Sequence, residues 1–107
     1  MPAIDIRLYK ELIETLNKLA EGISRHQEND DFPLTVNEQI IYSAIKRIDS
    51  LKEAYEDSEL RTRKFYHLYL QEIKNTRKEI ASLKLILYDY YGKRNKVVTD
   101  FGLKVYK

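Results

Sequence analysis

Two histidines, a few closely spaced carboxylates and a tail of lysines and tyrosines are the residues of this chain that could do chemistry. His26 and His67 each lack a second histidine three or four residues away. A metal site built on helices needs such a pairing, for example Glu-x-x-His on facing helices, because those spacings put ligands on one face. The carboxylates nearest His67, Glu59 and Glu72, sit on neither spacing. Glu11 with Glu14, and Glu53 with Glu56, are i,i+3 pairs of the kind that hold metals or exchange protons. Lys10, Lys18 and Lys52 lie close enough to offset them, which is the pattern of a solvated helix face. Ser24, Ser43, Ser50, Ser58 and Ser82 lie in no nucleophile elbow, and there is no glycine-rich phosphate loop. Asp100-Phe101-Gly102 matches the kinase tripeptide, but the Gly-rich loop, strand lysine and catalytic loop that kinase chemistry requires are missing. With no cysteine in the chain, disulfides, thiolate ligands and a Cys nucleophile are excluded. The expectation is a protein that is not an enzyme and uses no cofactor or metal.

Binding chemistry has better candidates. In the tail YDYYGKRNKVVTDFGLKVYK, residues 88–107, a basic patch of Lys93, Arg94, Lys96 and Lys104, with Lys107 beyond it, is interleaved with Tyr90, Tyr91 and Tyr106. Cations neutralise phosphates and aromatic rings stack on bases, so a nucleic-acid surface is one reading. The other is a packed helix end. The tyrosines fall on core-facing positions, and positive charge is favoured at a helix C-terminus. The packed end is preferred, because the acidic first half of the chain opposes polyanion binding. A third candidate is the stretch Phe65, Tyr66, Leu68, Tyr69, Leu70, which is apolar around more than one helical face. Nine tyrosines against three phenylalanines favour half-covered surfaces, where a ring is buried and its hydroxyl stays wet. Phe65, Tyr66, Tyr69 and Ile73 are therefore the candidate partner-contact residues; a central core segment is the alternative.

The elements that must position these residues are helical. The chain has 107 residues with three glycines and two prolines, and 34% of it is charged, which suits long amphipathic helices and one domain, residues 1–107. Ile4, Leu8, Leu12, Leu16, Leu19 and Ile23 recur at three-and-four spacing and predict a helix over 5–27, with Asp5 as its N-cap. Gly22 interrupts it and either frays the helix or admits a close crossing. Residues 26–38 read as a loop that Phe32 and Leu34 anchor to the core. Thr35–Glu38 reads as a capping box, with Asn37 as a rival cap. No Gly or Pro occurs from Thr35 to Tyr91. Two arrangements fit this stretch: helices over 36–56 and 59–91 with a turn near Glu56–Ser58, or one unbroken helix that needs a partner chain. Gly92 is expected to end the long helix in the left-handed conformation. Asn95 is expected to cap a short segment closed by a Schellman turn at Gly102, which pairs Val98 with Leu103.

Net charge is +2, but residues 1–60 hold 7 Lys and Arg against 13 Asp and Glu, whereas residues 61–107 hold 12 against 4. A hairpin or an antiparallel dimer would bring the acidic and basic parts together and so set orientation. The run YYGKRNKVVTDFGLK resembles the tail of uncharacterised bacterial all-helical proteins, in which a long helix ends at an aromatic-Gly pair and a short segment closes on Phe-Gly and an aliphatic residue. Those proteins continue into a basic, Pro-containing end, where this chain has Val105 and Tyr106. The resemblance implies a helical bundle and carries no activity. The expected protein is all-α, an antiparallel three-helix bundle or long-helix hairpin, completed in a dimer as a four- or six-helix bundle with coiled-coil-like packing. Its expected partner is a second copy or another protein, with nucleic acid as the alternative. No apolar stretch reaches the ~20 residues of a membrane span, and the charged start MPAIDIRLYKELIE reads as no secretory signal, so a cytoplasmic location is expected.

Overall fold

Three side-chain caps set where the helices begin. The Asp5 carboxylate accepts from the backbone N–H of Arg7 at 3.0 Å and of Leu8 at 3.2 Å, and α1 runs Ile6–His26. Asn37, and not the Thr35 box, caps α2 (Glu38–Glu56), with its side-chain oxygen 3.2 Å from the Ile40 nitrogen. The Thr62 side chain caps α3 (Arg63–Tyr91) by accepting from Phe65 N–H. A 3₁₀ helix, Lys96–Phe101, follows. The computed structural model describes residues 3–29, 31–57 and 62–107, and among these there is no strand. The single unbroken helix is thus excluded, since α2 stops at Glu56 with its cap Asp57 in extended backbone. The expected start of the third helix at residue 59 lies outside the described residues.

The protein is an all-α helical bundle. Tyr9 meets Asp49 and Tyr55 meets Tyr66, so α1 and α2, and then α2 and α3, run antiparallel. Each helix buries one stripe. It is Leu12, Leu16, Leu19 and Ile23 on α1, Ile41, Ala44, Ile48 and Tyr55 on α2, and Tyr69, Ile80, Leu83 and Leu87 on α3. The three-and-four spacing is what brings these side chains to one face. Between α2 and α3, Arg47 donates to Glu72 at 2.8 Å and to Glu79 at 3.0 Å, and the buried Thr76 hydroxyl also reaches Glu72. The charge division suggested acidic α2 residues against basic α3 residues. This contact uses the opposite signs, because only positions bordering the apolar stripe face the neighbouring helix. The connecting loop is anchored by Phe32 and Val36. Leu34 is 94% exposed, because the turn closed by Val36 N–H to Pro33 O throws it outward.

The tail folds back onto α1. Gly92 ends α3 with φ 89° and ψ 144°, a positive φ but an extended ψ. The left-handed turn expected there is absent, and the chain instead redirects through Asn95 N–H to Gly92 O. Asn95 caps the 3₁₀ helix by accepting from Val97 N–H at 3.0 Å. Gly102 is left-handed, and the bonds Gly102 N–H to Thr99 O and Leu103 N–H to Val98 O form the Schellman pair. Val98, Phe101 and Leu103 are all buried. Phe101 lies on Gly22, stacks on His26 at 5.4 Å and 26°, and runs parallel to Phe32 at 6.2 Å. Gly22 therefore serves the close crossing and not a fray.

A Cβ at position 22 would lie 2.5 Å from Phe101 Cδ1 and 2.8 Å from the Asp100 carbonyl oxygen. Replacing Gly by Ala in a helix normally gains about 1 kcal/mol, whereas forced overpacking costs about 1–3 kcal/mol. Gly22→Ala is expected to lower stability by about 1 kcal/mol or more in urea denaturation. An unchanged or raised midpoint would mean that the tail is not seated on α1.

Candidate functional site

Helices α1 and α3 flank a groove that the bundle itself fills only at one end. Each packs closely on α2 and on the 3₁₀ helix, but not along its length on the other. At the α1 C-terminal end the tail closes the groove, with Phe101 over Gly22 and Gly102 against Lys18. Below Lys18 it is open. One part, of about 360 Å³, lies between Leu8, Leu12 and Thr15 on α1 and Arg77, Ile80 and Ala81 on α3. It leads past Leu8 into a more apolar part of about 280 Å³, lined by Tyr9, Tyr66, Tyr69, Leu70 and Ile73. Leu8 and Leu70 are each about two-fifths exposed here, and Ile6 and Leu68 on the same helices are as open. The lips differ in charge. Glu11 is on the α1 side, and Arg77 and Lys84 are on the α3 side.

Tyr9, which lines the groove, is tied to α2 by polar contacts. The Tyr9 hydroxyl donates to Asp49, and the Lys52 ammonium sits 4.9 Å from the Tyr9 ring while pairing with Glu56 at 2.6 Å. The hydrogen bond to Asp49, then burial, then the negative charge of Asp49 push the Tyr9 hydroxyl up to about 12. Burial, with Glu56 and Asp49 nearby, also raises Tyr69. These groups fix α1 on α2 beneath the groove.

The four expected contact residues divide. Tyr69 is 5% exposed and belongs to the core, so it offers a partner little surface. Ile73 packs against that core, and Phe65 and Tyr66 are half-buried. The exposed apolar side chains are their neighbours Leu8 and Leu70. Sequence reasoning placed Leu8 on the α1 stripe without finding it open, and Leu70 in the apolar stretch 65–70 without naming it among the contact residues. The missing signal was that the tail, a short segment, covers only part of the α1 stripe.

The basic tail residues are brought together. Tyr106 N–H donates to Lys93 O at 2.8 Å, and the Tyr88 hydroxyl donates to Lys104 O at 2.6 Å. The Lys93 and Lys104 ammoniums lie 5.6 and 5.4 Å from the Tyr106 ring centre. Arg94, Lys96, Thr99, Val105, Tyr106 and Lys107 line a shallow depression of about 580 Å³. Burial raises the Tyr91 hydroxyl. The Asp-Phe-Gly tripeptide is structural: Asp100 takes a 2.8 Å contact from His26 Nε2 and a longer one from Arg25, and Phe101 is core. His67 is exposed on α3. Glu11 and Glu14 pair with Arg7 and Lys18 on their own helix. Among the described residues no group of three or more His, Asp or Glu side chains could hold a metal ion, and no helix is long and apolar enough to cross a membrane.

The chain matches no protein-family model, and comparison with curated proteins and with solved structures gives no match.

A hydroxyl whose pKa is higher in the folded than in the unfolded chain keeps its proton when folded, so its contribution to stability is complete below pH 10 and is lost as pH rises towards 12. Tyr9→Phe is expected to flatten the fall in stability across that window. A denaturation midpoint measured from pH 9 to 12 checks this, and an equally steep fall in the variant would count against the Tyr9–Asp49 bond.

Proposed function

We propose that the chain is a non-enzymatic interaction protein that pairs with a second copy of itself through the open half of the α1–α3 groove. The observation that carries this reading is the half-filled groove. The tail supplies a short fourth element at one end, and apolar side chains at the other end stay in water. Leu8, Leu70, Tyr66 and Ile73 are the contacts we assign to it, with Phe65 beside them and Tyr69 supporting from the core.

Area supports a copy-sized occupant. A folded monomer of 12.8 kDa is expected to expose about 6,300 Å². This chain exposes 7283 Å². The excess of about 1,000 Å² is comparable with the ~800 Å² per partner that a standard interface covers. Shape agrees, since the radius of gyration is 15.8 Å against about 13 Å for a compact chain of this length. Charge supports a copy of the same chain over a foreign helix. In a twofold pair each subunit presents the same patch. The Glu11 lip of one copy then faces the Arg77 and Lys84 lip of the other, twice over. The paired helices would complete a dimeric bundle.

Light-scattering mass is expected to be about twice 12.8 kDa. Leu8→Glu with Leu70→Glu should raise the dimer dissociation constant at least about tenfold, since each places a charge in the contact and one factor of ten is only about 1.4 kcal/mol. Both side chains are partly exposed in the single chain, so far-UV dichroism should not change. A wild-type monomer at high concentration, or a variant that dimerises unchanged, would sink the proposal.

A further inference from the structure

We infer that the depression formed by the two limbs of the tail is a binding site for single-stranded nucleic acid. The site joins parts that are separate in sequence. Lys93 and Arg94 come from the turn after α3, Lys96 from the start of the 3₁₀ helix, and Lys104 and Lys107 from the segment after Gly102. The Tyr106 N–H to Lys93 O bond ties the two limbs together. The Tyr88 hydroxyl holds the second limb by the Lys104 carbonyl, and the Tyr88 ring meets Tyr106 edge-on at 5.6 Å.

In the tail, residues 88–107, five cations stand against two carboxylate side chains. Besides Asp89 on the last turn of α3, the tail has one carboxylate side chain, Asp100. It is turned to α1 and taken by His26 and Arg25. None of the five cations is in an ion pair with a described carboxylate. Each stands on an exposed residue, so burial does not explain their clustering. The acidic first half of the chain weakens any long-range attraction. At physiological salt, however, exposed charges act over about 8 Å, so the neighbouring residues decide what binds.

The floor selects the kind of polyanion. Val105, the Thr99 side chain and the Tyr106 ring give it apolar area, and Tyr106 is 46% exposed with lysines beside it. An apolar floor inside a cationic rim suits a ligand that carries both phosphates and flat rings. Unpaired bases offer their faces to an aromatic ring, whereas a duplex keeps them stacked inside, and inorganic polyphosphate has none. This inference does not rest on the groove between α1 and α3, and neither reading needs the other.

The test is fluorescence anisotropy of the full chain with a labelled oligothymidine of about 15 nucleotides, long enough for one small site. The same sequence as a duplex, inorganic polyphosphate, and phosphatidylserine vesicles serve as competitors. With four or five phosphates neutralised, the slope of log affinity against log salt should be about −3, or roughly 60-fold between about 50 and 200 mM. Arg94→Glu with Lys96→Glu should weaken binding at least about tenfold. Tyr106→Ala should weaken the single strand about five- to tenfold and leave polyphosphate competition unchanged. All three changes lie on exposed positions, and a thermal melt of each variant checks the fold. Absence of binding at low salt would overturn the inference. So would duplex, polyphosphate or vesicles competing as well as the single strand, or affinity that ignores Tyr106, since each would mean a general cationic patch.

Discussion

The seat of Phe101 on Gly22 is the contact on which the rest of this structure depends. A glycine near the C-terminal end of α1 leaves a notch one side chain deep, and the Phe101 ring enters it so closely that no Cβ could be added. His26 stacks on the ring, Phe32 lies parallel to it and Tyr91 tilts against it at 5.7 Å. Those four residues come from α1, the connecting loop, α3 and the tail. One aromatic ring therefore ties together four parts of the chain that local helix formation alone would leave apart. Burying a phenylalanine this fully is worth about 3–5 kcal/mol by large-to-small replacement, a large share of a small domain's stability.

The same contact explains the groove. The tail is too short to run the length of α1. Its 3₁₀ helix and Schellman turn cover the stripe from Lys18 to Gly22 and stop. Below that point Leu8 and Leu12 continue the stripe of α1 with nothing of the tail above them. The Tyr9–Asp49 bond and the Lys52 ammonium against the Tyr9 ring then hold α1 against α2, so the helix cannot roll over to hide its open side. An element that fills half a groove and a polar latch that prevents collapse leave apolar surface in water, which is the physical basis for expecting something else to cover it.

Much of this was legible from residue spacing. Asp5, Asn95 and Gly102 act where their backbone chemistry requires, because a cap or a left-handed turn is a local event that neighbouring residues decide. The stripes of α1 and α2 were legible for the same reason: three-and-four spacing is a one-dimensional signal. What could not be read was long-range. Thr35 and Asn37 are both good caps, and choosing between them depends on the Pro33 turn that brings Val36 inward and leaves Leu34 outside. Tyr69 and Leu70 are adjacent and both apolar-faced, yet one is core and the other is groove. Only the position of α1 over α3 separates them. The partner of Gly22 lay nearly eighty positions away in sequence, beyond any local pattern.

Charge shows the limit most clearly. By sequence the first part of the chain is acidic and the second basic, and pairing of the two looked like the rule that orients the hairpin. The bond that forms between α2 and α3 instead runs from Arg47 to Glu72 and Glu79, a cation from the acidic part to anions from the basic part. Each of these residues borders an apolar stripe, and the majority charges point away into water, where exposed pairs are worth only about 0–1 kcal/mol. Average charge thus has little say in how the helices dock. It has more say at the surface, where the cations on the two limbs of the tail crowd around one exposed tyrosine after Asp100 has been drawn away to His26. The fold takes one of the tail's two carboxylates, Asp100, to build its core contact, and the positive surface left behind is a consequence of how Phe101 is seated.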